Sequence, residues 1–351
     1  MRKYFLGSNT PKGFYSYYDS LISQSDAKKI YVIKGGPGTG KSTLMKRIAY
    51  FAEENGFGAD YIYCSSDPGS LDGLVIPEMK VAFVDGTSPH IVDPKTPGAV
   101  DVIVNLGNFW NEKNMKKNKG DIINTGLEIS DKFDLAYDHL KAAGVLHKTI
   151  RKLQKKCYNE EEIEKKADEI IFNEITDISD SGKGFKRKLF ASSYGPEGYI
   201  SYAHTLHYGK KYVVRGAGTP VIMNKLAECF LKYKFDIETF FNPIAPDEEI
   251  LHIYVPELDL GIFTYGEGVC EEGGTLIDLT TLSSAAIAEK YKDEMSQCVS
   301  SFESQVLYAC SIIKKAKALH DKLEGYYIPN MDFAELEKTT AKILDQLEDL
   351  R

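Results

Sequence analysis

The chain repeats itself, and this repeat constrains the fold more than any other feature of the sequence. Residues 2–17 align without a gap to residues 187–202, and eight of the sixteen aligned pairs are identical. The similarity resumes where residues 31–35 match residues 212–216. Because similar stretches recur in the same order, we expect two copies of one structural unit.

Length and composition agree with two globular domains. A chain of 351 residues is long enough for two units that each bury a core, and contents of 43% hydrophobic and 27% charged residues are typical of globular proteins. We place the first domain at residues 1–182 and the second at residues 183–351. The glycines in residues 181–184 predict a short flexible linker at this boundary.

Composition also argues against several kinds of partner and site. The chain has no apolar run of the length that spans a membrane, and the apolar run at its start is too short for a signal peptide. We therefore expect a cytoplasmic protein with no membrane partner. The net charge of −8 makes a nucleic-acid partner a poor expectation. The six cysteines form no C-x-x-C pair, so we expect neither a disulfide nor a zinc site.

The first copy contains a glycine-rich loop. Residues 35–43 read GGPGTGKST and fit the pattern G-x-x-x-x-G-K-[ST]. The preceding residues 30–33 predict a buried strand, and the residues that follow have apolar side chains at helical spacing. A strand, a glycine loop and a helix in this order form a nest of backbone N–H groups that binds phosphate. We expect the loop to bind a nucleoside triphosphate through Gly35, Gly36, Gly38, Thr39, Gly40, Lys41, Ser42 and Thr43.

Residue types in and near the loop predict separate roles. Lys41 can reach the terminal phosphates as a point charge, and the Ser42 hydroxyl can bind Mg²⁺. Residues 81–85 are four apolar residues followed by an acid, which is the form of a Walker B strand. Asp85 is therefore the second predicted ligand of Mg²⁺, on the opposite side from Ser42.

The catalytic base is harder to assign. Many ATPases with such a loop place a glutamate directly after the Walker B aspartate, whereas Gly86 follows Asp85 here. The base must then come from another position. The nearby candidates are Asp67, His90 and Asp93, of which Asp67 and His90 have no clear counterpart in the second copy.

The second copy has lost the residues that would hold phosphate and metal. Its loop, residues 216–223, is shorter and has no counterpart of the lysine and serine, with Val221 about where the lysine is needed. The alignment places Thr264 where the first copy has Asp85. Because joint loss is what a decayed nucleotide site produces, we expect one working site, in the first half.

Each copy ends in a helical stretch. Residues 109–178 predict two long helices, the second of them capped by Asn159. Residues 284–323 predict a long helix ended by Gly325, and Asp332 is the expected cap of a last helix. The predicted fold is α/β, a duplicated parallel sheet with each half followed by a long helical hairpin. These hairpins are candidates for a protein partner or self-association, and packing within the chain is the alternative.

Three stretches of the first copy resemble a family of bacterial, largely uncharacterised P-loop ATPase-like proteins. They are residues 31–43, 64–73 and 85–94. The resemblance extends over nearly the whole chain, including the tandem halves. It implies an α/β nucleotide-binding fold, supports Lys41 and Ser42 as ligands, and implies no substrate.

The leading hypothesis is a Mg²⁺-dependent ATPase or ATP-driven switch with ATP bound in the N-terminal half. The second half would then be regulatory, and Arg187 or Arg215 are the arginines that it could lend to the site. A small-molecule or nucleotide kinase is one alternative, disfavoured because residues 51–150 contain no arginine. A non-enzymatic assembly protein with nucleotide as a structural ligand is the other.

Overall fold

The computed structural model describes residues 1–88, 91–179, 181–206, 209–268 and 273–350. The strands of the first half are β1 (Arg2–Tyr4), β2 (Gly7–Thr10), β3 (Gly13–Ser16), β4 (Lys29–Lys34), β5 (Asp60–Tyr63), β6 (Leu71–Ile76), β7 (Val81–Asp85) and β8 (Asp101–Asn105). The helices of this half are α1 (Lys41–Glu54), α2 (Glu112–Lys117), α3 (Lys119–Lys155) and α4 (Glu160–Glu174).

The second half contains the same elements in the same order. Its strands are β9 (Lys186–Leu189), β10 (Ser192–Gly195), β11 (Gly198–Ser201), β12 (Lys210–Arg215), β13 (Ile237–Phe241), β14 (Ile250–Val255), β15 (Leu260–Thr264) and β16 (Thr275–Asp278). Its helices are α5 (Thr219–Lys232), α6 (Ala285–Lys290), α7 (Lys292–Tyr327) and α8 (Phe333–Glu348).

The two main sheets have the same topology. The first is ordered β1-β5-β6-β7-β4-β8 and the second β9-β13-β14-β15-β12-β16. In each half a two-stranded hairpin, β2–β3 or β10–β11, stands beside the six-stranded sheet. The repeat in the sequence therefore corresponds to two α/β halves that match strand for strand.

The prediction of parallel sheets is wrong for one strand in each half. β6 runs antiparallel to both β5 and β7, and β14 runs antiparallel to both β13 and β15, whereas the other neighbours are parallel. A parallel neighbour needs a crossover of about a dozen residues. The connections around β6, residues 64–70 and 77–80, are too short for one, so the chain turns back and the sheet is mixed.

The two predicted helix caps are confirmed, whereas each predicted long helix is preceded by a short separate helix, α2 or α6. Asn159 caps α4 by accepting a hydrogen bond from the Glu161 N–H, and Asp332 caps α8. The prediction that Gly325 ends the long helix of the second half is wrong, because α7 continues to Tyr327. The helix ends instead just before Pro329, which has no N–H group to continue the helical hydrogen bonds, and a short 3₁₀ turn follows at Ile328–Asn330.

The long helices carry the chain across to the opposite half. α3 and α7 pack antiparallel, with His147 beside Phe302 at one end and Ala136 clustered with Ile313 further along. With 37 residues, α3 is about 55 Å long at 1.5 Å per residue. The helices proposed as candidates for a protein partner thus pack on each other within the chain.

The helix that follows each long helix packs on the other half. α4, from the first half, packs against α5 of the second and buries Ile163, Ala167 and Ile170 in its core. α8, from the second half, packs against α1 of the first, and its buried residues Leu336, Ile343 and Leu347 join that core. The predicted two helices per half are present, but the halves exchange their last helices.

Equivalent residues of the two copies meet at the interface between the halves. The backbone N–H groups of Phe5 and Phe190 donate to each other's carbonyl oxygens at 2.8 and 3.0 Å. The hydroxyls of Ser8 and Ser193 lie 2.7 Å apart. Both are aligned, identical pairs of the sequence repeat, and a residue meets its own equivalent only beside a two-fold axis. The halves are therefore related by an approximate two-fold rotation.

Buried ion pairs join the halves beside this axis. Arg2 of β1 contacts Asp60 and also Glu238 of β13, and Arg187 of β9 contacts Glu238. Burial alone would raise the pKa of Glu238, but the two guanidinium groups hold it at about 2. Arg187 is thus part of the interface. In the described part of the chain, no helix combines the length and the apolar character that a membrane span requires.

Candidate functional site

The glycine loop turns tightly between β4 and the start of α1. Gly38 and Gly40 have φ angles of 66° and 87°, in the left-handed region that favours glycine. Thr39 is buried, and its hydroxyl donates to the Gly36 carbonyl at 2.8 Å. Because Gly40 is the residue that precedes α1, the free N–H groups of the first helical turn belong to the loop.

Lys41 and Asp85 meet at this loop. The Lys41 ammonium donates to the carbonyls of Gly35 at 2.8 Å and Gly36 at 2.9 Å, and lies 3.5 Å from a carboxylate oxygen of Asp85. Only 13% of the Lys41 side chain is exposed. The lysine therefore folds back onto its own loop, beside the acid that ends the neighbouring strand β7.

Ser42 and Asp85 supply oxygens that suit a magnesium ion. The Ser42 hydroxyl accepts a hydrogen bond from the Leu71 N–H at 3.0 Å, and the Asp85 carboxylate accepts one from the Thr87 N–H at 2.8 Å. Each oxygen keeps a further lone pair. A hydroxyl and a carboxylate are ligands that hard cations such as Mg²⁺ prefer, so this pair fits the predicted ion.

Thr87 contacts the loop, although it was not among the predicted site residues. Its hydroxyl donates to the Gly35 carbonyl at 2.9 Å and so ties the segment after β7 to the loop. The available sequence signal was its position two residues after Asp85. Thr43, in contrast, is exposed and lines a separate groove of about 420 Å³ between α1 and Leu344 of α8.

The three predicted base candidates have different surroundings. The Asp93 side chain is 77% exposed and pairs with the Lys34 ammonium at 3.1 Å. Asp67 lies 3.6 Å from the ammonium of Lys317, a residue of α7. His90 lies outside the described residues.

The connection between α7 and α8 packs directly on the loop. Three of the loop glycines face side chains from the end of α7, the connection and the start of α8, so closely that a Cβ atom on the glycine would lie 2.6–2.7 Å from the partner. The pairs are Gly36 with Tyr327, Gly38 with Ile328 and Gly40 with Leu336. The glycines thus allow a close approach of the second half's last helices as well as a tight turn.

One face of α7, in the turns that precede Tyr327, carries charged side chains. Lys317, His320, Asp321 and Glu324 follow one another at helical spacing, so they share one face of α7. The Lys317 ammonium pairs with Asp321 as well as Asp67. Burial alone would lower the pKa of Lys317, but the hydrogen bond to Asp321 and the charge of Asp67 raise it. Glu324 is the member of this face that reaches the loop.

The loop of the second half keeps its turn without its lysine. The Thr219 hydroxyl donates to the Gly216 carbonyl at 2.7 Å, which repeats the hydrogen bond of Thr39 in the first half. The helix α5 begins at Thr219 directly after Gly218, as α1 begins at Lys41 directly after Gly40, so Thr219 and not Val221 stands at the position of the lysine. Pro220 then stands at the position of Ser42, where it supplies neither a hydroxyl nor an N–H group.

The strand register places Thr264 at the position of Asp85, as expected. Thr264 pairs with Val214 of β12 in the same way that Asp85 pairs with Ile33 of β4. The Thr264 hydroxyl donates to a backbone carbonyl at 2.7 Å. Arg215, the other arginine proposed for the site, pairs with Asp278 of its own half.

The second half has its own cluster against α3. Glu249 accepts a hydrogen bond from His147 at 2.9 Å and pairs with Arg151, both from α3. Burial would raise the pKa of Glu249, but these two partners hold it at about 2. His147 is the twenty-ninth residue of α3, and His320 is the twenty-ninth residue of α7. His147 and His320 are therefore equivalent residues of the two long helices, and they lie over opposite halves.

A scan of protein-family models, a search of curated proteins and a search of solved structures find no match to this chain. The family resemblance expected from the sequence stays a prediction. A functional assignment therefore rests on the loop and its surroundings.

Proposed function

We propose that the first half binds ATP with Mg²⁺ and hydrolyses it, as an ATPase or ATP-driven switch with a single site. The observation that carries this proposal is the position of Lys41. Its ammonium lies inside a loop of glycines at the start of α1, 3.5 Å from Asp85. A cation, free helical N–H groups and an acid at the adjacent strand end are the parts that phosphate and metal binding require.

The residues of the loop then have distinct tasks. The N–H groups at the start of α1 bind phosphate oxygens, and Lys41 exchanges its two carbonyl contacts for the terminal phosphates. Ser42 and Asp85 hold the Mg²⁺ ion, which supplies positive charge against the phosphate oxygens when bound. Thr219, Pro220 and Thr264 stand at these positions in the second half and supply no lysine, serine or acid, which supports a single site.

The packing of α7 and α8 on the glycine loop supports the proposed role as an ATP-driven switch. A nucleotide in the loop shares its surroundings with Tyr327, Ile328 and Leu336, which contact the glycines directly. Tyr327 ends α7 and Ile328 follows it, and the other end of α7 packs on the second half, whereas Leu336 belongs to α8, which packs on the first half. Binding at the loop is thus positioned to shift α7 and α8, and with them the contacts between the halves.

The choice of nucleotide needs a direct comparison. Residues 118–121 read NKGD and fit the N-K-x-D pattern by which many GTP-binding proteins recognise guanine. In this chain they form the start of α3, where Lys119 and Asp121 are exposed. We propose ATP because the resemblance and the helical position of NKGD favour it, and GTP is measured beside it.

Removal of Lys41 tests the proposal. For Lys41→Ala we expect at least about a tenfold loss of ATP affinity, because a charged hydrogen bond contributes roughly 1.5–3 kcal/mol, and phosphate release at background. Lys225→Ala removes a lysine from the equivalent helix α5 and is the matched control, with both values unchanged. Calorimetry measures binding, and a phosphate assay measures turnover.

Other outcomes would favour other functions. If wild type and Lys41→Ala release phosphate equally and neither binds ATP, the proposal is wrong. Turnover that requires an added acceptor would favour the kinase alternative. A nucleotide-dependent rise in the unfolding temperature without turnover would favour a structural ligand.

A further inference from the structure

The described residues of the first half leave the attacking water without an obvious base. Asp93 is exposed and paired with Lys34, and Asp67 is turned towards Lys317 of α7. Asp85 contacts Lys41 and is the predicted metal ligand. Asp72 of β6, at the register position next to Asp85, is buried. The acids that approach the loop from the second half lie on the charged face of α7.

Glu324 is the acid of that face that lies against the loop. A Cβ atom on Gly38 would be 3.4 Å from both the Cβ atom and the carbonyl oxygen of Glu324. Its carboxylate is 3.8 Å from His320 Nδ1, and its side chain is 31% exposed. The base of the side chain thus lies against the loop at Gly38, and the carboxylate is beside His320, partly shielded and still reachable by water.

We propose that Glu324, carried by the second half, is the catalytic base of the ATP hydrolysis proposed for the first half. The inference rests on that proposed function. A water oxygen attacks the γ-phosphorus, and the bond from this phosphorus to the β–γ bridging oxygen breaks. The bonding pair leaves with ADP, and one proton of the water passes to the Glu324 carboxylate.

Comparison of the two copies supports this role independently. Glu324 is the thirty-third residue of α7, and the thirty-third residue of α3 is Arg151. Arg151 is paired with the buried Glu249 and cannot accept a proton. The half that lacks the loop lysine and the strand-end acid therefore also lacks an acid at this helix position. All three changes occur together, as expected if all three residues serve one reaction.

Glu324→Gln tests the inference. We expect phosphate release to fall about 100-fold or more, because general bases contribute roughly 10²–10⁴-fold. ATP affinity is expected to stay within about threefold, because the amide keeps the size of the side chain. Bound ATP should then survive on the variant, which filter retention of labelled ATP detects without reference to turnover.

Two further variants make the result specific. Glu303→Gln removes an acid from the part of α7 that lies over the second half, and it should release phosphate like wild type. Glu324→Asp keeps a carboxylate on a shorter side chain. It should bind ATP normally and release phosphate more slowly than wild type, yet faster than Glu324→Gln.

The outcomes separate this inference from the proposed function. Wild-type phosphate release by Glu324→Gln overturns the inference alone. Joint loss of ATP binding and of thermal stability in both Glu324 variants also overturns it, because the residue would then be structural. Failure of wild type to bind ATP overturns the proposed function and the inference together.

Discussion

At the scale of single residues, the loop glycines serve two demands at once. Gly38 and Gly40 have left-handed φ angles, and each also faces a side chain, Ile328 for Gly38 and Leu336 of α8 for Gly40. Gly56, directly after the cap of α1, has a similar φ of 80° but no neighbouring atom within 4 Å of an added Cβ. The cost of the left-handed backbone and the cost of the close side-chain contact can therefore be measured separately.

Alanine substitutions at Gly40 and Gly56 should differ in cost. Gly56→Ala is expected to lose about 1–2 kcal/mol of unfolding free energy, from backbone strain alone. Gly40→Ala adds a clash with Leu336 and should lose a further ~1–3 kcal/mol. Urea unfolding of both variants measures the difference. Equal losses would contradict the contact between α8 and the loop.

The sequence predicts part of this site and misses the rest for a physical reason. Lys41, Ser42 and Asp85 belong to short patterns in which neighbours along the chain set the geometry, so spacing alone points to them. Thr87 and Glu324 contact the loop only through the tertiary fold. Glu324 lies on a helix that begins in the other half, and spacing along the chain contains no signal for such a contact.

At the scale of elements, the caps of α4 and α8 form a matched pair. Asp332 accepts hydrogen bonds from two N–H groups at the start of α8, and Asn159 accepts one at the start of α4. Asp332→Ala and Asn159→Ala should each cost about 1 kcal/mol of stability. Because α8 packs on the loop and α4 packs on the other half, only Asp332→Ala should change ATP affinity. Calorimetry on both variants checks this, and an equal change in both would contradict it.

Helix boundaries were more predictable than helix partners. Caps such as Asn159 and Asp332 are local signals, and the structure confirms them. The exchange of α4 and α8 is not local. Each presents an apolar face that could cover α1 or α5 equally well, because these two helices are copies of one element. The length and path of the α3–α7 pair decide which of these two helices α4 and α8 cover. No single stretch of sequence encodes that path. The antiparallel β6 was predictable in principle from its short connections.

At the scale of the whole molecule, the ion pairs at the two-fold axis predict acid sensitivity. The folded pKa of Glu238, about 2, lies below its ordinary value of 4.5. Its stabilising contribution is therefore complete above about pH 4.5 and is lost as the pH falls towards 2. We expect the unfolding free energy to decrease through this window, as measured by urea unfolding at several pH values.

Glu238→Gln should make that pH dependence less steep. The variant is also expected to be less stable at neutral pH by about 3–5 kcal/mol, because Arg2 and Arg187 lose their shared buried partner. Some pH dependence should remain, since Glu249 has a similarly lowered pKa in a separate cluster. An unchanged slope would contradict the assigned role of Glu238 between the halves.

The exchange of last helices also governs when the first half can fold as the ribosome makes the chain. The core beneath α1, which includes Leu44 and Ile48, is closed by Leu336, Ile343 and Leu347 of α8. These residues are made after the whole sheet of the second half, whereas α4 is made before the helix it covers. The glycine loop of a nascent chain therefore stays uncovered until α8 of the second half has been translated, and contacts so distant along the chain form slowly.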